Sequence, residues 1–200
     1  MSLVNFTARE ITCKIVYYGP GRSGKTTNLQ YVYGRVPEGR RGRMVSLATQ
    51  TDRTLFFDFL PLELGSISGF TTKFQLYTVP GQSYYNATRK LVLQGADGVV
   101  FVADSQARRF DDNLESLQNL QDNLLSEGVD VRQLPVVFQY NKQDLPTDLI
   151  LAPAEMDDAL NFRAVPSFGA DCLHGTGVFE TLRGISEMVL KRLAAGTPVT

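Results

Sequence analysis

Eight residues, Gly19-Pro20-Gly21-Arg22-Ser23-Gly24-Lys25-Thr26, constrain this chain more than any others, because they fit the pattern G-x-x-x-x-G-K-[ST] and lie between two runs of opposite character. Upstream, Ile11-Thr12-Cys13-Lys14-Ile15-Val16-Tyr17-Tyr18 is β-branched and aromatic; downstream, Thr26-Thr27-Asn28-Leu29-Gln30-Tyr31-Val32-Tyr33 carries apolar residues at helical spacing. A strand, a glycine-rich turn and a helix in that order form a cradle for phosphate. Glycines let the backbone wrap closely and aim successive N–H groups at anionic oxygens, and the positive end of the helix adds to the field. Gly19, Gly21, Arg22, Ser23, Gly24, Lys25, Thr26 and Thr27 are therefore candidate nucleotide-binding residues. Lys25 is expected to reach the β and γ phosphates, and the Thr26 hydroxyl to ligate Mg²⁺.

The rest of the chain supplies a frame of the matching kind. Strand-like runs fall near 11–18, 54–60, 70–79, 97–103, 134–140 and 165–169, and helical patterns near 25–34, 84–94, 110–126, 154–163 and 177–194. From the third strand on the two alternate, which predicts a mostly parallel six-stranded sheet with helices on both faces and ligands at the carboxyl ends of the strands. The second and third strands are separated only by the glycine-containing stretch 61–69, which predicts one antiparallel edge hairpin. Residues 35–53 contain Gly34's neighbour Arg35, then Pro37, Gly39 and Gly42, with little periodicity, and a loop of that length predicts a mobile switch. Its basic residues Arg35, Arg40, Arg41 and Arg43 read as a solvated loop and not as a membrane patch.

With 200 residues, 43% apolar and 20% charged, the chain is expected to form one α/β domain over residues 1–195, with a short tail at 196–200. A net charge of −1 gives no general attraction to nucleic acid or to an anionic membrane, so a charged partner must be met at a local site. Cys13 and Cys172 form neither a metal-like cluster nor a disulfide framework, which suits a reducing, cytoplasmic setting. No signal peptide, lipidation signal or membrane-spanning run is read in the sequence, so no intrinsic membrane anchor is expected.

A second motif chooses among nucleotides. Asn141-Lys142-Gln143-Asp144 follows the buried-looking run Leu134-Pro135-Val136-Val137-Phe138-Gln139-Tyr140 and matches N-K-x-D at a strand's carboxyl end. An Asp144 carboxylate can accept two hydrogen bonds from the N1–H and amino group of guanine, whereas adenine offers no such pair. A two-pronged, charge-assisted contact discriminates by about 10⁴ when the wrong ligand leaves a buried polar group unpaired. Asn141 is expected to tie this loop to the phosphate loop and the Lys142 stem to cover the base.

Together these residues resemble the small Ras-like GTPases, over nearly the whole chain. Ile15-Val16-Tyr17-Tyr18-Gly19-Pro20-Gly21, Asp52-Arg53-Thr54-Leu55-Phe56-Phe57-Asp58-Phe59-Leu60-Pro61, Leu76-Tyr77-Thr78-Val79-Pro80-Gly81-Gln82 and Phe101-Val102-Ala103-Asp104-Ser105 look, more narrowly, like the bacterial MglA family of mutual gliding-motility GTPases. The resemblance implies a P-loop NTPase with the three-layer Ras-like fold, bound to GTP or GDP and Mg²⁺. It also implies a polarity switch at a cell pole, governing gliding or twitching motility with a roadblock-domain, MglB-like GTPase-activating protein and downstream effectors; nucleic acid is not expected as a partner.

Residue roles follow from the same resemblance. Thr54 is implied as the switch threonine that joins Mg²⁺, and Arg53 as an arginine finger supplied within the chain. The residues by themselves leave Thr49 and Thr51 open for the first role and Arg40, Arg41 and Arg43 for the second. Gln82 is implied to orient the attacking water, and the Gly81 N–H to sense the γ phosphate. Thr78 stands where Ras-like proteins usually carry an aspartate that binds Mg²⁺ through water; a hydroxyl keeps the hydrogen bond but brings no charge. Asp58 is a candidate to make up that charge. Asp171-Cys172-Leu173 aligns with the loop behind the base, where the Cys172 N–H is expected to face guanine O6; Cys172 and the lone His174 otherwise read as loop residues. The helical string 83–90 and the aromatic strand 56–59 flank the switches and are expected to meet the regulator.

Overall fold

The computed structural model describes residues 3–47, 57–67, 69–82 and 85–196. In chain order they form β1 (Leu3–Asn5), β2 (Glu10–Tyr18), α1 (Lys25–Arg35), β3 (Val45–Leu47), β4 (Phe57–Ile67), β5 (Phe70–Thr78), α2 (Asn86–Leu93), β6 (Gly98–Asp104), α3 (Phe110–Ser126), β7 (Val136–Asn141), α4 (Pro153–Leu160), β8 (Ser167–Ala170) and α5 (Val178–Gly196). They join in one sheet of order β3-β4-β5-β2-β6-β7-β8, with β1 paired to β2. β2 pairs in parallel with β5 and β6, and the parallel set continues through β7 to β8; β1, β3 and β4 pair antiparallel.

Alternation along β2 builds the three layers. Cys13, Ile15 and Tyr17 face a core completed by Leu29 and Val32 of α1 and by Val178, Leu182, Ile185 and Val189 of α5. Val16 and Tyr18 face the opposite core, with Val92 and Leu93 of α2, Leu117, Leu120 and Leu124 of α3, and Met156 and Leu160 of α4. Side chains of a strand point to opposite faces by turns, so a central parallel strand covered on both sides must be apolar throughout. β6 and β7 are buried at every residue and apolar but for Asp104, Gln139 and Asn141, whose polar groups are hydrogen-bonded within the protein.

Two expectations change. Residues 61–69, read as the link of a hairpin, mostly belong to β4, which pairs with β5 as far as Ile67↔Phe70. The register shifts between Glu63 and Ser66, around Gly65 at φ 103°. Glycine there bends the strand at a bulge and does not end it. Within 35–53, the described part is not an open loop. After a single 3-10 turn at Glu38–Arg40, Gly42 N donates to Pro61 O (2.9 Å), and β3 pairs with Phe57–Phe59 of β4. β1 and β3, three residues each, are the strands that extend the expected six. Arg41 and Arg35 lie over the rings of Tyr33 and Tyr31, at 3.7 and 5.3 Å, so half of the basic run is spent on aromatic faces of α1. Among the described residues no helix is long and apolar enough to cross a membrane.

Candidate functional site

The phosphate loop runs from the end of β2 into α1, and two glycines fix its path. Gly19 takes φ 138° and Gly24 φ 105°; a Cβ on the first would overlap the Val102 carbonyl and on the second the Asn141 amide. Other residues would strain the backbone and collide with neighbouring elements. Lys25 is buried and donates from Nζ to Gly19 O (2.9 Å) and Pro20 O (2.6 Å), arching back over the loop. Burial, and then the positive charge of Arg89, pull its pKa down to about 7, while Asp58 works in the opposite direction. Ser23 Oγ is buried beneath the loop and has no hydrogen-bond partner among the described residues. Arg22, at φ 64°, is exposed at the loop's crest.

The N-K-x-D loop leaves the end of β7 and is tied to the phosphate loop by one side chain. Asn141 Nδ2 donates to Ser23 O (2.7 Å) and lies 3.0 Å from Cys172 Sγ. Its Oδ1 accepts the Cys172 N–H (3.0 Å), so three loops meet on Asn141. The Cys172 N–H, expected to face a base, is thus engaged within the protein, and the thiol's pKa is raised chiefly by burial. Asp171 Oδ1 accepts the Leu173 and His174 N–H groups at 3.0 and 3.2 Å, and Asp171 Oδ2 stands 2.5 Å from His174 Nδ1. A cavity of about 180 Å³ opens between these loops, lined among others by Gly24, Thr27, Lys142, Asp144, Asp171 and Leu173. It brings together the residues expected to hold a base.

Lys142 has a partner that the motif did not reveal. Its Nζ meets Asp104 Oδ2 at 2.5 Å, and Asp104, at the end of β6, is 1% exposed. Asn28 of α1 likewise exchanges two hydrogen bonds with Gln139 of β7 (2.7 and 3.0 Å), and Gln139 also donates to Thr181 of α5 (3.0 Å). This buried amide pair fastens the helix behind the phosphate loop to the strand that carries the N-K-x-D loop. A glutamine inside an apolar strand run was the available sequence signal.

Asp58 lies beside Thr26. Its Oδ2 accepts from Thr26 Oγ1 (2.6 Å) and Thr78 Oγ1 (2.9 Å), its Oδ1 from Ser46 Oγ (2.7 Å), and its N–H donates to Thr78 Oγ1 (2.8 Å). Thr78 therefore orients a carboxylate carried by the adjacent strand. Among the described residues there is no cluster of three or more His, Cys, Asp or Glu arranged to hold a metal. One carboxylate amid hydroxyls suits a hard cation that keeps waters and shares phosphate oxygens, so the donors fit Mg²⁺ and do not suit a thiophilic metal. The Thr26 hydroxyl donates its hydrogen bond to Asp58, which leaves its lone pairs for a cation. Arg53 and Thr54, with Thr49 and Thr51, lie outside the described residues. Gln82 is exposed, and Gly81 packs so closely on Gly21 that a Cβ there would overlap the phosphate-loop backbone.

A glycine-rich loop after the first long strand, joined through an asparagine to an N-K-x-D loop two strands away in the sheet, defines a Ras-like P-loop protein that binds GTP and GDP and hydrolyses GTP. The chain belongs to the ADP-ribosylation factor family, whose family model matches residues 2–189. It is 56% identical over 196 residues to the mutual gliding-motility protein MglA of Myxococcus xanthus (strain DK1622), covering 98% of this chain and 100% of that protein. It is 31% identical over 137 residues to human ADP-ribosylation factor-like protein 4D, covering 66% of this chain and 65% of that protein. With ADP-ribosylation factor-like protein 6 of Caenorhabditis elegans the figures are 26% over 187 residues, 88% and 86%.

Proposed function

We propose that residues 1–195 act as one GTPase domain that switches cell polarity and motility, cycling between GDP and GTP forms under an MglB-like roadblock-domain activator. The observation that carries the nucleotide reading is the Asn141 junction, which joins the phosphate loop, the N-K-x-D loop and the Cys172 loop around one pocket. The motility reading rests on the 56% identity with a gliding-motility protein along its full length. A cytoplasmic protein drawn to the pole by partners fits this reading.

In the proposed cycle Lys25 and the phosphate-loop N–H groups hold the β and γ phosphates, and Asp144 reads guanine. Thr26 and Thr54 hold Mg²⁺, with Asp58 supplying the charge that Thr78 lacks. When bound, that ion neutralises phosphate charge. The Gly81 N–H senses the γ phosphate, Gln82 orients the attacking water, and Arg53 stabilises the charge that develops on the phosphate oxygens, an effect of about 10³ to 10⁵ in rate when fully positioned. Loops held by the γ phosphate relax after hydrolysis. The regulator surface is the outward face of β4 and its neighbour: Phe57 and Phe59 stand half-buried against Tyr77, with ring centres 6.1 and 4.8 Å away, while Asp58, Leu60 and Leu62 point inward.

The test is single-turnover phosphate release from GTP, with the protein alone and with a roadblock-domain partner. Acceleration by the partner that is lost in Arg53→Ala and in Gln82→Ala, with nucleotide affinity retained, is the expected result. Tight GTP binding without release in either condition would overturn the activator and the two catalytic assignments.

A further inference from the structure

The largest fully buried side chain among the described residues is a charged one, Arg89 of α2, at 1% exposure. Burying a guanidinium is costly unless its donors are satisfied. Among the described residues its hydrogen-bond partners are neutral. Nε donates to Pro80 O (2.8 Å), one terminal nitrogen to Gly81 O (2.6 Å), and the other to Asn119 Oδ1 of α3 (2.8 Å). The guanidinium carbon lies 5.2 Å from the ring centre of Tyr18.

The placement of those acceptors is what matters. Pro80 and Gly81 are consecutive carbonyls, directly before Gln82, and the planar fork spans both, which an ammonium cannot do. Gly81 in turn rests on Gly21 of the phosphate loop. α3 holds the arrangement from behind. Asn119 Oδ1 also accepts the Tyr18 hydroxyl (2.6 Å), and Asn119 and Asn123 both donate to Asn86 Oδ1 at the start of α2 (2.8 Å each). At the N-cap of α3, Arg109 donates to Gly21 O (3.0 Å) and pairs with Asp112 of the helix (2.8 Å). One helix thus grips the phosphate loop directly and the Gly81 turn through Arg89.

We propose that Arg89 is a positioning residue for hydrolysis: it sets the Pro80-Gly81-Gln82 turn against the phosphate loop, with Asn119 of α3 fixing the guanidinium. This rests on the roles assigned above to Gly81 and Gln82. A displaced turn loses the γ-phosphate contact and the water-orienting group together while leaving the pocket for GDP untouched. Plain packing of α2 on α3 would lack that selectivity.

The experiment compares Arg89→Lys, Asn119→Ala, Gln82→Ala and the Arg89→Lys/Gln82→Ala pair, each by single-turnover GTP hydrolysis and by affinity for GDP and for a non-hydrolysable GTP analogue. Arg89→Lys is expected to slow hydrolysis by about 10- to 100-fold, the scale of a reacting group misplaced by about 1 Å. It should keep GDP affinity and lose preference for the GTP analogue. Asn119→Ala, which leaves the arginine in place, should show a weaker form of the same pattern and serves if Arg89→Lys does not fold. In the pair, Arg89→Lys should add little to Gln82→Ala, since both act through one group. Additive losses, or GDP and GTP-analogue affinities falling in parallel, would overturn the proposal. Should Gln82→Ala hydrolyse GTP normally, the catalytic reading of Gln82 fails separately; the analogue-to-GDP preference of Arg89→Lys then decides alone, its loss supporting a role through Gly81 and its retention refuting it.

Discussion

Asp58→Asn removes one negative charge from the edge of the proposed cation site while keeping the side chain's shape. The Thr26 hydroxyl oxygen lies 2.6 Å from Asp58 Oδ2. A magnesium–oxygen bond is about 2.1 Å, so an ion held by Thr26 stands within about 5 Å of the carboxylate. A divalent ion and a unit charge at that range attract by about 2 kcal/mol in water's dielectric and about 7 kcal/mol at the effective dielectric of a protein surface. Asp58 is buried, so the lower figure is a floor. The Mg²⁺ concentration that half-maximally retains bound GDP should therefore rise by at least about tenfold in Asp58→Asn. Dissociation of a fluorescent GDP, followed while free Mg²⁺ is titrated with a chelator, reads that midpoint directly. Thr78→Ala should move it less, because Thr78 only orients the carboxylate (2.8 and 2.9 Å). An Asp58→Asn midpoint equal to that of the parent chain, with Thr26→Ala shifted, would refute the idea that the neighbouring strand supplies the missing charge.

Lys25 gives a pH dependence with a definite sign. Its pKa is lowered from 10.5 to about 7 in the folded chain without nucleotide. Between those values the unfolded chain keeps a proton that the folded one has released, so this group makes the nucleotide-free fold more stable as pH rises through that window. Phosphate oxygens favour the ammonium, so above pH 7 GDP binding takes up a proton and affinity falls by up to about tenfold per pH unit. Lys25→Met should abolish that slope in a titration from pH 7 to 8.5, and a flat profile in the parent chain would contradict the lowered pKa. Asp144→Ala should erase about 10⁴ of guanine-over-adenine preference, measured by competition between GDP and ADP. Asp104→Asn strands Lys142 beside a buried site and should cost about 3 kcal/mol of stability, seen as a lower urea midpoint.

Much of this was legible because it is local. Gly19, Gly24, Lys25 and Thr26 act within a few residues of one another, and the alternation of apolar runs placed the helices and five of the six expected strands near their observed bounds, whereas β4 runs on to Ile67 where its end was expected at 60. The glycine at position 65 was misread for a physical reason: the same residue that ends a strand also permits a bulge, and only pairing with β5 distinguishes the two. In 35–53 the short strand β3 carried no pattern of its own, since three residues paired to the edge of β4 need none.

By itself the sequence determined the order of the helices and of six strands, the phosphate loop and the N-K-x-D loop, because each is encoded by neighbours along the chain. Only the tertiary structure decided that Asp58 stands against Thr26, that Asp104 holds Lys142 and that Asn119 steadies Arg89, partners 32, 38 and 30 residues apart. Those pairings depend on which strands adjoin and which helix packs on which face. Sheet register and layer packing settle that, and no spacing along the chain records it.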